Sequence, residues 1–316
     1  MSDKKKSSPA EEFAQNNSGE GLRVFVAGGA RSGNDEIYVD EAYNLGRKIV
    51  KMNLKLDFGL SNSGIMGAVA RGVVDEWNER YDREEGSKSP IHAVTTNDYF
   101  CLYPQDDNLI NQIDEIVLAK TLEERKQKLL NADFVVFAPG GVGTLDEIAY
   151  DCVAMQDGFL DIKPFIFYNV DGFFYHILEY LKQIAAKGFA YRLPFIVVDN
   201  SQEIEVVFRL LKLRYVDSQD SKVAYGNTRQ LIYELPYFLK KKTDNSVHVE
   251  DIIAEMNAIR NSEDEDKKRE LDNEIEQAYL EKEIERMYDR LAKTGRDTSV
   301  VSDKLTKLKK RKQQWK

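Results

Sequence analysis

Residues 133–150 read Asp-Phe-Val-Val-Phe-Ala-Pro-Gly-Gly-Val-Gly-Thr-Leu-Asp-Glu-Ile-Ala-Tyr, and this stretch decides the fold. An apolar run of strand length leads into a glycine-rich turn, and a helical pattern follows the turn. A fully apolar run is typical of a strand that is buried on both faces of a parallel sheet. The order of strand, glycine-rich turn and helix is also the order that a phosphate-binding turn requires.

The same alternation of short β-branched or aromatic runs with longer helical patterns extends over residues 22–212. It predicts an α/β fold with a Rossmann-like, doubly wound parallel sheet that helices cover on both faces. The first two helices are predicted at Asp35–Met52 and Ile65–Glu79. The predicted strands are Leu22–Ala27, Leu54–Phe58, Ile91–Thr95, Glu115–Leu118, Phe134–Ala138, Phe165–Asn169 and Phe195–Val198.

Three regions differ in pattern and define the predicted domains. Residues 1–21 are polar and are predicted to be a disordered tail, and residues 22–212 form the α/β domain. Residues 213–316 form a charged, largely helical C-terminal extension, in which apolar side chains recur at helical spacing between Glu250 and Lys293. One or two amphipathic helices are expected there, and they must bury their apolar stripe against another surface.

The charge of the chain is negative but unevenly distributed. The formal net charge is -9, although Lys304–Lys316 contains seven basic residues and no acidic one. An acidic body repels nucleic-acid phosphates, so the basic tail would add only weak, salt-sensitive contact with RNA or DNA. A solvated tail is the simpler interpretation.

The composition excludes several classes of protein. The two cysteines, Cys101 and Cys152, lie far apart and have no metal-ligand spacing to the three histidines, so we expect no metal site and no disulfide. Cys152 lies in an apolar helical stretch, which favours a buried residue over a nucleophile. No apolar run has the length of a membrane span, and the N-terminal residues have no secretory core, so a cytoplasmic protein is expected.

The glycine-rich turn (Pro139–Gly143) is the best candidate for a phosphate site. Gly140, Gly141 and Gly143 allow the backbone to approach an anion, and the following helix is predicted to begin near Thr144. Its first N–H groups, including those around Val142, are unpaired and carry a partial positive charge. Thr144 can add a hydroxyl contact and cap the helix.

Glu147 lies one turn beyond Thr144, and two interpretations are open. The pattern Thr144-Leu145-Asp146-Glu147 is compatible with a capping box, in which Glu147 folds back on its own helix start. Alternatively, a carboxylate beside a bound phosphate is electrostatically unfavourable for binding alone, which suggests that Glu147 acts on another part of the ligand.

The stretch Pro139–Glu147 resembles the PGGxGTxxE signature of the LOG (lonely guy) family of phosphoribohydrolases. Upstream, Val24–Asp35 resembles the first strand and turn of that family, and Ser63–Gly67 resembles its GLMG helix start. Downstream, Lys163-Pro164 and Asn169–Phe174 resemble the next strand and helix. The similarity covers about residues 22–205.

The resemblance implies an enzyme that hydrolyses the N-glycosidic bond of an AMP-like or cytokinin-type nucleoside 5′-monophosphate to free base and ribose 5-phosphate. No cofactor and no metal is implied. The carboxylate of Glu147 would stabilise the oxocarbenium-like ribose and orient the water, and Arg125 would hold phosphate or favour the departing base. The resemblance also implies a homodimer or higher homo-oligomer. The predicted substrate contacts are Gly140, Gly141, Val142, Gly143, Thr144, Lys126, Ser32, Gly64 and Met66.

Three positions depart from the family pattern. Arg125 lies one residue closer to the signature strand, and one residue rotates a helical side chain by about 100°. Leu60 and Ser61 replace two glycines of the run before the GLMG-like segment, and Glu123 replaces a histidine. The position of Arg125 and the ligand contacts of the loop at Leu60 therefore depend on the structure.

Other functions remain open from the sequence. A nucleotide-binding protein or a carrier similar to the molybdenum-cofactor carriers would keep the phosphate turn without catalysis. The C-terminal extension could instead serve assembly or weak nucleic-acid binding. The glycines of Gly28–Gly33 also resemble a dinucleotide fingerprint, for which Asp57 is the candidate acid at the end of the second strand.

Overall fold

A computed structural model describes residues 21–81, 88–102, 106–159, 163–193, 195–214, 221–242, 247–304 and 306. The chain divides into two compact units, Met1–Glu205 and Val206–Lys316. The division at residue 205 and the predicted boundary at residue 212 fall in one helix, Ser201–Arg214.

The first unit is built on one parallel sheet. Among the described residues, seven strands pair in parallel in the order β4-β3-β2-β1-β5-β6-β7. All seven predicted strands are found, and the predicted α/β, Rossmann-like fold class is confirmed. The strands are β1 (Arg23–Ala27), β2 (Lys55–Phe58), β3 (Ser89–Thr96), β4 (Ile113–Ala119), β5 (Phe134–Phe137), β6 (Phe165–Tyr168) and β7 (Phe195–Val198).

Helices connect the strands and cover the sheet. The predicted helices Asp35–Met52 and Ile65–Glu79 are present with ends that differ by one or two residues. The helices of the first unit are α1 (Ile37–Lys51), α2 (Gly64–Arg80), α3 (Asn97–Leu102), α4 (Asp107–Ile110), α5 (Leu122–Leu130), α6 (Val142–Gln156) and α7 (Tyr175–Ala186), and α8 (Ser201–Arg214) crosses the boundary between the units.

The central strands are buried because their side chains are apolar on both faces. Every residue of β5 and β6 is fully buried. On one face, strand residues such as Phe25, Val135 and Phe167 pack with residues of the covering helices, including Leu129 and Ile148. Burial of this much apolar surface fixes the positions of the loops at the strand ends, where the candidate site lies.

The second unit is helical, as expected for the C-terminal extension. It contains the end of α8 together with α9 (Ser221–Lys241), α10 (Val249–Asn261) and α11 (Glu265–Lys293). One or two amphipathic helices are expected between Glu250 and Lys293, and two helices, α10 and α11, are present there. Apolar residues such as Ile252, Met256 and Ile275 are buried, and the buried carboxylate of Glu234 accepts a hydrogen bond from Arg260 at 2.6 Å.

Parts of two predicted regions lie outside the described residues. The predicted N-terminal tail is outside them except for Gly21, and so is the basic tail except for Lys304 and Thr306. In the part of the chain that the structure describes, no helix combines the length and the apolar character needed to cross a membrane.

Candidate active site

The glycine-rich turn lies where the sheet order reverses direction. β1 has β2 on one side and β5 on the other, so the loops that follow β1 and β5 leave the same edge of the sheet at neighbouring positions. In open α/β sheets, a ligand-binding crevice forms at this switch point, outside the carboxyl ends of the strands. The N–H of Gly29 donates to the carbonyl of Pro139 at 3.0 Å and ties the two loops together.

The glycine-rich turn presents an open helix N-terminus. α6 begins at Val142 with Gly141 as its N-cap, and no described residue accepts from the N–H groups of Val142, Gly143 or Thr144. Side chains added at Gly141 or Gly143 would meet no atom within 4 Å. The turn therefore combines unpaired N–H groups, a helix dipole and open space, which together suit an anion.

Thr144 has a different position from the one expected. The prediction that Thr144 caps the helix is wrong, because α6 begins two residues earlier and Gly141 is the N-cap. Thr144 is 4% exposed, and a Cβ added at Gly140 would lie 2.2 Å from its hydroxyl oxygen. Thr144 thus packs on the turn from inside, and its backbone N–H belongs to the open first turn.

The carboxylate of Glu147 is not part of a capping box. Since α6 begins at Val142, Glu147 lies in the second helical turn and cannot reach the N-cap in that way. Glu147 is partly buried, and the described residues offer its carboxylate no hydrogen-bond partner. Burial raises the pKa of Glu147 to about 7, although the charges of Arg125 and Lys126 oppose this change and that of Asp146 adds to it.

Arg125 lies near Glu147 in spite of the one-residue difference in spacing. Its Nε donates to the carbonyl of Val94 at 3.1 Å and its Nη2 donates to the carbonyl of Gly59 at 3.0 Å. Burial lowers the pKa of Arg125, while the charge of Glu147 acts in the opposite direction. Arg125 and Glu147 are thus electrostatic neighbours at the carboxyl edge of the sheet.

Lys126 and Ser32 make no described contact with the glycine-rich turn. The ammonium group of Lys126 lies 2.7 Å from the carboxylate of Asp146 and 4.8 Å from the ring centre of Tyr150. It neutralises an acid next to Glu147 and links α5 to α6. Ser32 is exposed in the loop after β1, and its role in substrate binding stays a prediction.

Gly64 and Met66 connect the loops after β1 and β2. Gly64 has a φ of +61°, and a Cβ there would lie 2.4 Å from the backbone of Ala30 and Arg31, so both conformation and space require glycine. The N–H groups of Ile65 and Met66 donate to the carbonyl of Gly29 at 2.9 and 3.2 Å. Because these N–H groups are satisfied by the protein, α2 offers fewer free amides to an anion than α6 does.

The candidate acid of a dinucleotide site is not available. Asp57 is fully buried in β2, its Oδ1 lies 3.0 Å from Nδ1 of His92, and Arg23 lies 3.6 Å from its Oδ2. A carboxylate in this position cannot bind the ribose of a dinucleotide. The resemblance of Gly28–Gly33 to a dinucleotide fingerprint therefore has no matching acid in the structure.

Cysteine and metal chemistry gain no support in the described residues. Cys152 is buried, as expected, and burial together with Asp151 raises the pKa of its thiol to about 12, which disfavours the nucleophilic thiolate. Within the same part of the chain, no group of three His, Cys, Asp or Glu side chains is arranged to hold a metal ion.

Sequence reasoning missed the residues that hold Arg125. Gly59 and Val94 supply the carbonyl acceptors, and the ring centre of Tyr99 lies 5.5 Å from the guanidinium carbon. In the sequence Gly59 is only the glycine that precedes Leu60 and Ser61, and a backbone acceptor leaves no signal in side-chain identity. Tyr99 follows β3 directly, and an aromatic residue at a carboxyl strand end is a weak signal that could have indicated it.

Comparisons with known proteins agree with the motif. A family model described as "Possible lysine decarboxylase" matches residues 66–205. Cytokinin riboside 5′-monophosphate phosphoribohydrolase LOG2 of Arabidopsis thaliana is 27% identical over 210 residues, which cover 65% of this chain and 91% of the relative. Cytokinin riboside 5′-monophosphate phosphoribohydrolase LOG of Oryza sativa subsp. japonica is 28% identical over 168 residues, covering 53% of this chain and 63% of the relative.

Solved structures with partial similarity include two molybdenum-cofactor proteins. The molybdenum cofactor carrier protein of Chlamydomonas reinhardtii has a TM-score of 0.42 and 15% identity, covering 61% of this chain and 99% of its own. The molybdenum cofactor binding protein of Rippkaea orientalis has a TM-score of 0.40 and 13% identity, covering 64% and 100%. The family model and the curated relatives confirm the resemblance that the glycine-rich turn indicated: the first unit of the chain is similar to the LOG phosphoribohydrolases.

Proposed function

We propose that this chain hydrolyses the N-glycosidic bond of a nucleoside 5′-monophosphate and releases the free base and ribose 5-phosphate. One observation carries the proposal: Glu147, a partly buried carboxylate with no described hydrogen-bond partner, lies one turn beyond the open N-terminus of α6. A site that served phosphate alone would gain nothing from this carboxylate, because it repels the anion.

The first turn of α6 would hold the 5′-phosphate. The N–H groups of Val142, Gly143 and Thr144 supply donors, and the absence of side chains at Gly141 and Gly143 lets the phosphate approach the backbone. Phosphate binding there fixes one end of the substrate. The ribose then extends along the direction in which Glu147 and Arg125 lie.

Glu147 would act on the ribose in its ionised form. As the bond between ribose and base breaks, positive charge develops on the sugar, and a nearby carboxylate stabilises it and orients water toward the anomeric carbon. Water adds its hydroxyl to the sugar, and its proton ends on the base. Arg125 lowers the pKa of Glu147, which increases the fraction of carboxylate at neutral pH, and its guanidinium can favour the departing base.

The names of the relatives support the substrate class. Several curated relatives are named cytokinin riboside 5′-monophosphate phosphoribohydrolases, and the family model matches residues 66–205, a range that includes the glycine-rich turn and Glu147. We therefore propose a purine-like base, either adenine or an N6-substituted adenine.

Turnover with and without the phosphate tests the proposal. The purified chain is incubated with AMP, with N6-prenylated AMP and with the two corresponding nucleosides, and free base is measured by chromatography. We expect base release from a monophosphate and far slower release from its nucleoside. A binding or carrier protein would instead show ligand-dependent melting with no product from any monophosphate, and that result would refute the proposed enzyme.

We also propose that the chain forms a homodimer through α6. Val142, Leu145, Ala149 and Val153 are exposed and recur at spacings of three and four residues, which produces one apolar stripe along the helix. Leu145 and Val153 are 50% and 53% exposed. A second copy that covers this stripe would lie beside the site, so its residues could complete the rim.

The mass of the particle in solution, measured by light scattering, tests whether the chain forms a homodimer. We expect about twice the 36.3 kDa chain mass for the natural sequence and a single chain mass for Leu145→Asp, because a charge in the stripe opposes burial. A single chain mass for both would refute the homodimer without affecting the proposed chemistry.

A further inference from the structure

We propose that Gly59 and Tyr99 are positioning residues for Arg125, which hold its guanidinium in one orientation beside Glu147. Together with Val94 they form the guanidinium seat (Gly59, Val94 and Tyr99). The inference rests on the proposed function for its consequence in catalysis, but the seat itself can be tested without turnover.

Two backbone carbonyls fix the plane of the guanidinium. The Nε of Arg125 donates to Val94 at 3.1 Å and Nη2 donates to Gly59 at 3.0 Å, and these carbonyls come from β3 and from the loop directly after β2. An arginine has five N–H donors in a rigid planar group, so two bonds to neighbouring strands define its orientation. The remaining three donors have no partner among the described residues and are available to a ligand.

Gly59 is required by the closeness of this contact. A Cβ at Gly59 would lie 2.3 Å from Nη2 of Arg125 and 3.6 Å from the sulfur of Met66. The contact with Nη2 is far shorter than any van der Waals distance, so the guanidinium would have to leave. Because the displaced group is the end of a flexible side chain and Gly59 has no positive φ, alanine at this position is compatible with the fold.

Tyr99 limits the guanidinium from another side. The guanidinium carbon lies 5.5 Å from the ring centre, within the range of a cation–π contact. α3 carries Tyr99 directly beyond β3, and its backbone N–H donates to the hydroxyl of Thr96 at 3.3 Å. The ring is therefore held by the same strand end that supplies Val94.

The seat explains why the shorter spacing before the signature strand is tolerated. The guanidinium is located by carbonyls of β3 and of the loop after β2, not by the position of Arg125 in α5 alone. Its charge acts on Glu147, whose pKa it lowers against the effect of burial. A guanidinium that leaves the seat would therefore change both ligand contacts and the ionisation of Glu147.

A double-mutant cycle tests the inference in the full chain. The variants are Gly59→Ala, Arg125→Ala and the double variant, assayed for base release from the best monophosphate. We expect Gly59→Ala to lower kcat/KM by about 100-fold, the size of effect that misplacement of a catalytic group by about 1 Å can have. In the Arg125→Ala background, Gly59→Ala should have almost no further effect, because it acts only through Arg125.

A second readout does not need turnover. The pKa of Glu147 is measured by NMR of the labelled carboxyl carbon, and we expect it to rise in Gly59→Ala as it does in Arg125→Ala. Tyr99→Leu, which removes the ring beside the guanidinium, should lower kcat/KM and raise the pKa of Glu147. Tyr180→Leu, which removes an exposed ring on α7, is the matched control and should change neither.

The outcomes separate this inference from the proposed function. If no monophosphate is hydrolysed, the proposed function fails. The pKa of Glu147 in the variants then tests alone whether the guanidinium seat holds Arg125. An unchanged pKa of Glu147 in Gly59→Ala overturns the inference. The inference is also overturned if Gly59→Ala lowers kcat/KM as much in the Arg125→Ala background as it does in the natural sequence. If Gly59→Ala does not fold, the comparison of Tyr99→Leu with Tyr180→Leu decides, and equal values of kcat/KM and of the Glu147 pKa for these two variants overturn the inference.

Discussion

The cost of ionising the partly buried carboxylate of Glu147 should be measurable as stability that decreases with pH. Burial raises its pKa from 4.5 to about 7 in the folded chain, so between these pH values the folded state binds more protons than the unfolded state. The free energy of unfolding therefore falls as the pH rises through this window, and the full cost is present above pH 7. Glu147→Gln removes the ionisation and with it this cost.

The magnitude follows from the two pKa values. Each unit of pKa corresponds to about 1.4 kcal/mol, so ionisation of Glu147 costs about 3 kcal/mol well above pH 7 and less than about 1 kcal/mol at pH 5. The free energy of unfolding of Glu147→Gln, relative to that of the natural sequence, should therefore be about 2 to 3 kcal/mol larger at pH 8 than at pH 5. Asp151, whose pKa burial also raises to about 7, gives a similar trend in both proteins and cancels in the comparison.

Urea unfolding at both pH values measures this difference, with the fluorescence of the buried Trp77 as the signal. Glu270→Gln, which removes an exposed carboxylate from α11, is the control for a change of net charge. The difference in the free energy of unfolding between Glu147→Gln and the natural sequence could instead be the same at pH 5 and pH 8. Glu147 would then have the same pKa in the folded and unfolded states, which would contradict this prediction.

Three further predictions concern Glu147, the glycine-rich turn and Cys152. In the proposed mechanism Glu147 stabilises the sugar cation as a carboxylate, so kcat/KM should rise with pH up to about 7 and then level off. A pH–rate profile that falls over this range would indicate that the protonated acid is the active form. Gly140→Ala places a Cβ 2.8 Å from the backbone nitrogen of Gly29 and should lower the melting temperature. The Cβ of Gly141→Ala meets no atom, so this variant should keep the melting temperature but bind AMP more weakly. Equal AMP affinity in Gly141→Ala and the natural sequence would argue against phosphate at this turn. Cys152, with its pKa raised to about 12, should resist alkylation at pH 8 until the chain unfolds, while rapid reaction of the folded chain would contradict its burial.

The parallel sheet could be predicted because its strands are buried on both faces. Such strands are continuous apolar runs, as in Phe134–Phe137 and Phe165–Tyr168, and the residues that end them are distinct. The positions of the glycine-rich turn and of Glu147 could also be predicted, because the spacing of the LOG-type signature is set by one local strand, turn and helix.

Features that depend on tertiary contacts could not be predicted in this way. The sequence predicts a helix start near Thr144, but the helix begins at Val142 and Gly141 is its N-cap. The orientation of Arg125 is set by carbonyls of distant strands, and the pairing of Lys126 with Asp146 depends on how two helices pack. None of these contacts leaves a pattern along the chain.

The most direct test of the central claim separates binding from chemistry at Glu147. Enzyme in excess over AMP, or over N6-prenylated AMP, is quenched at successive times at pH 8, and binding of the same nucleotide is measured by calorimetry. We expect the natural chain to release one base for each ribose 5-phosphate, and we expect Glu147→Gln to bind the nucleotide with similar affinity but to release base at least about 1000-fold more slowly. Base release by Glu147→Gln at the natural rate would contradict this expectation.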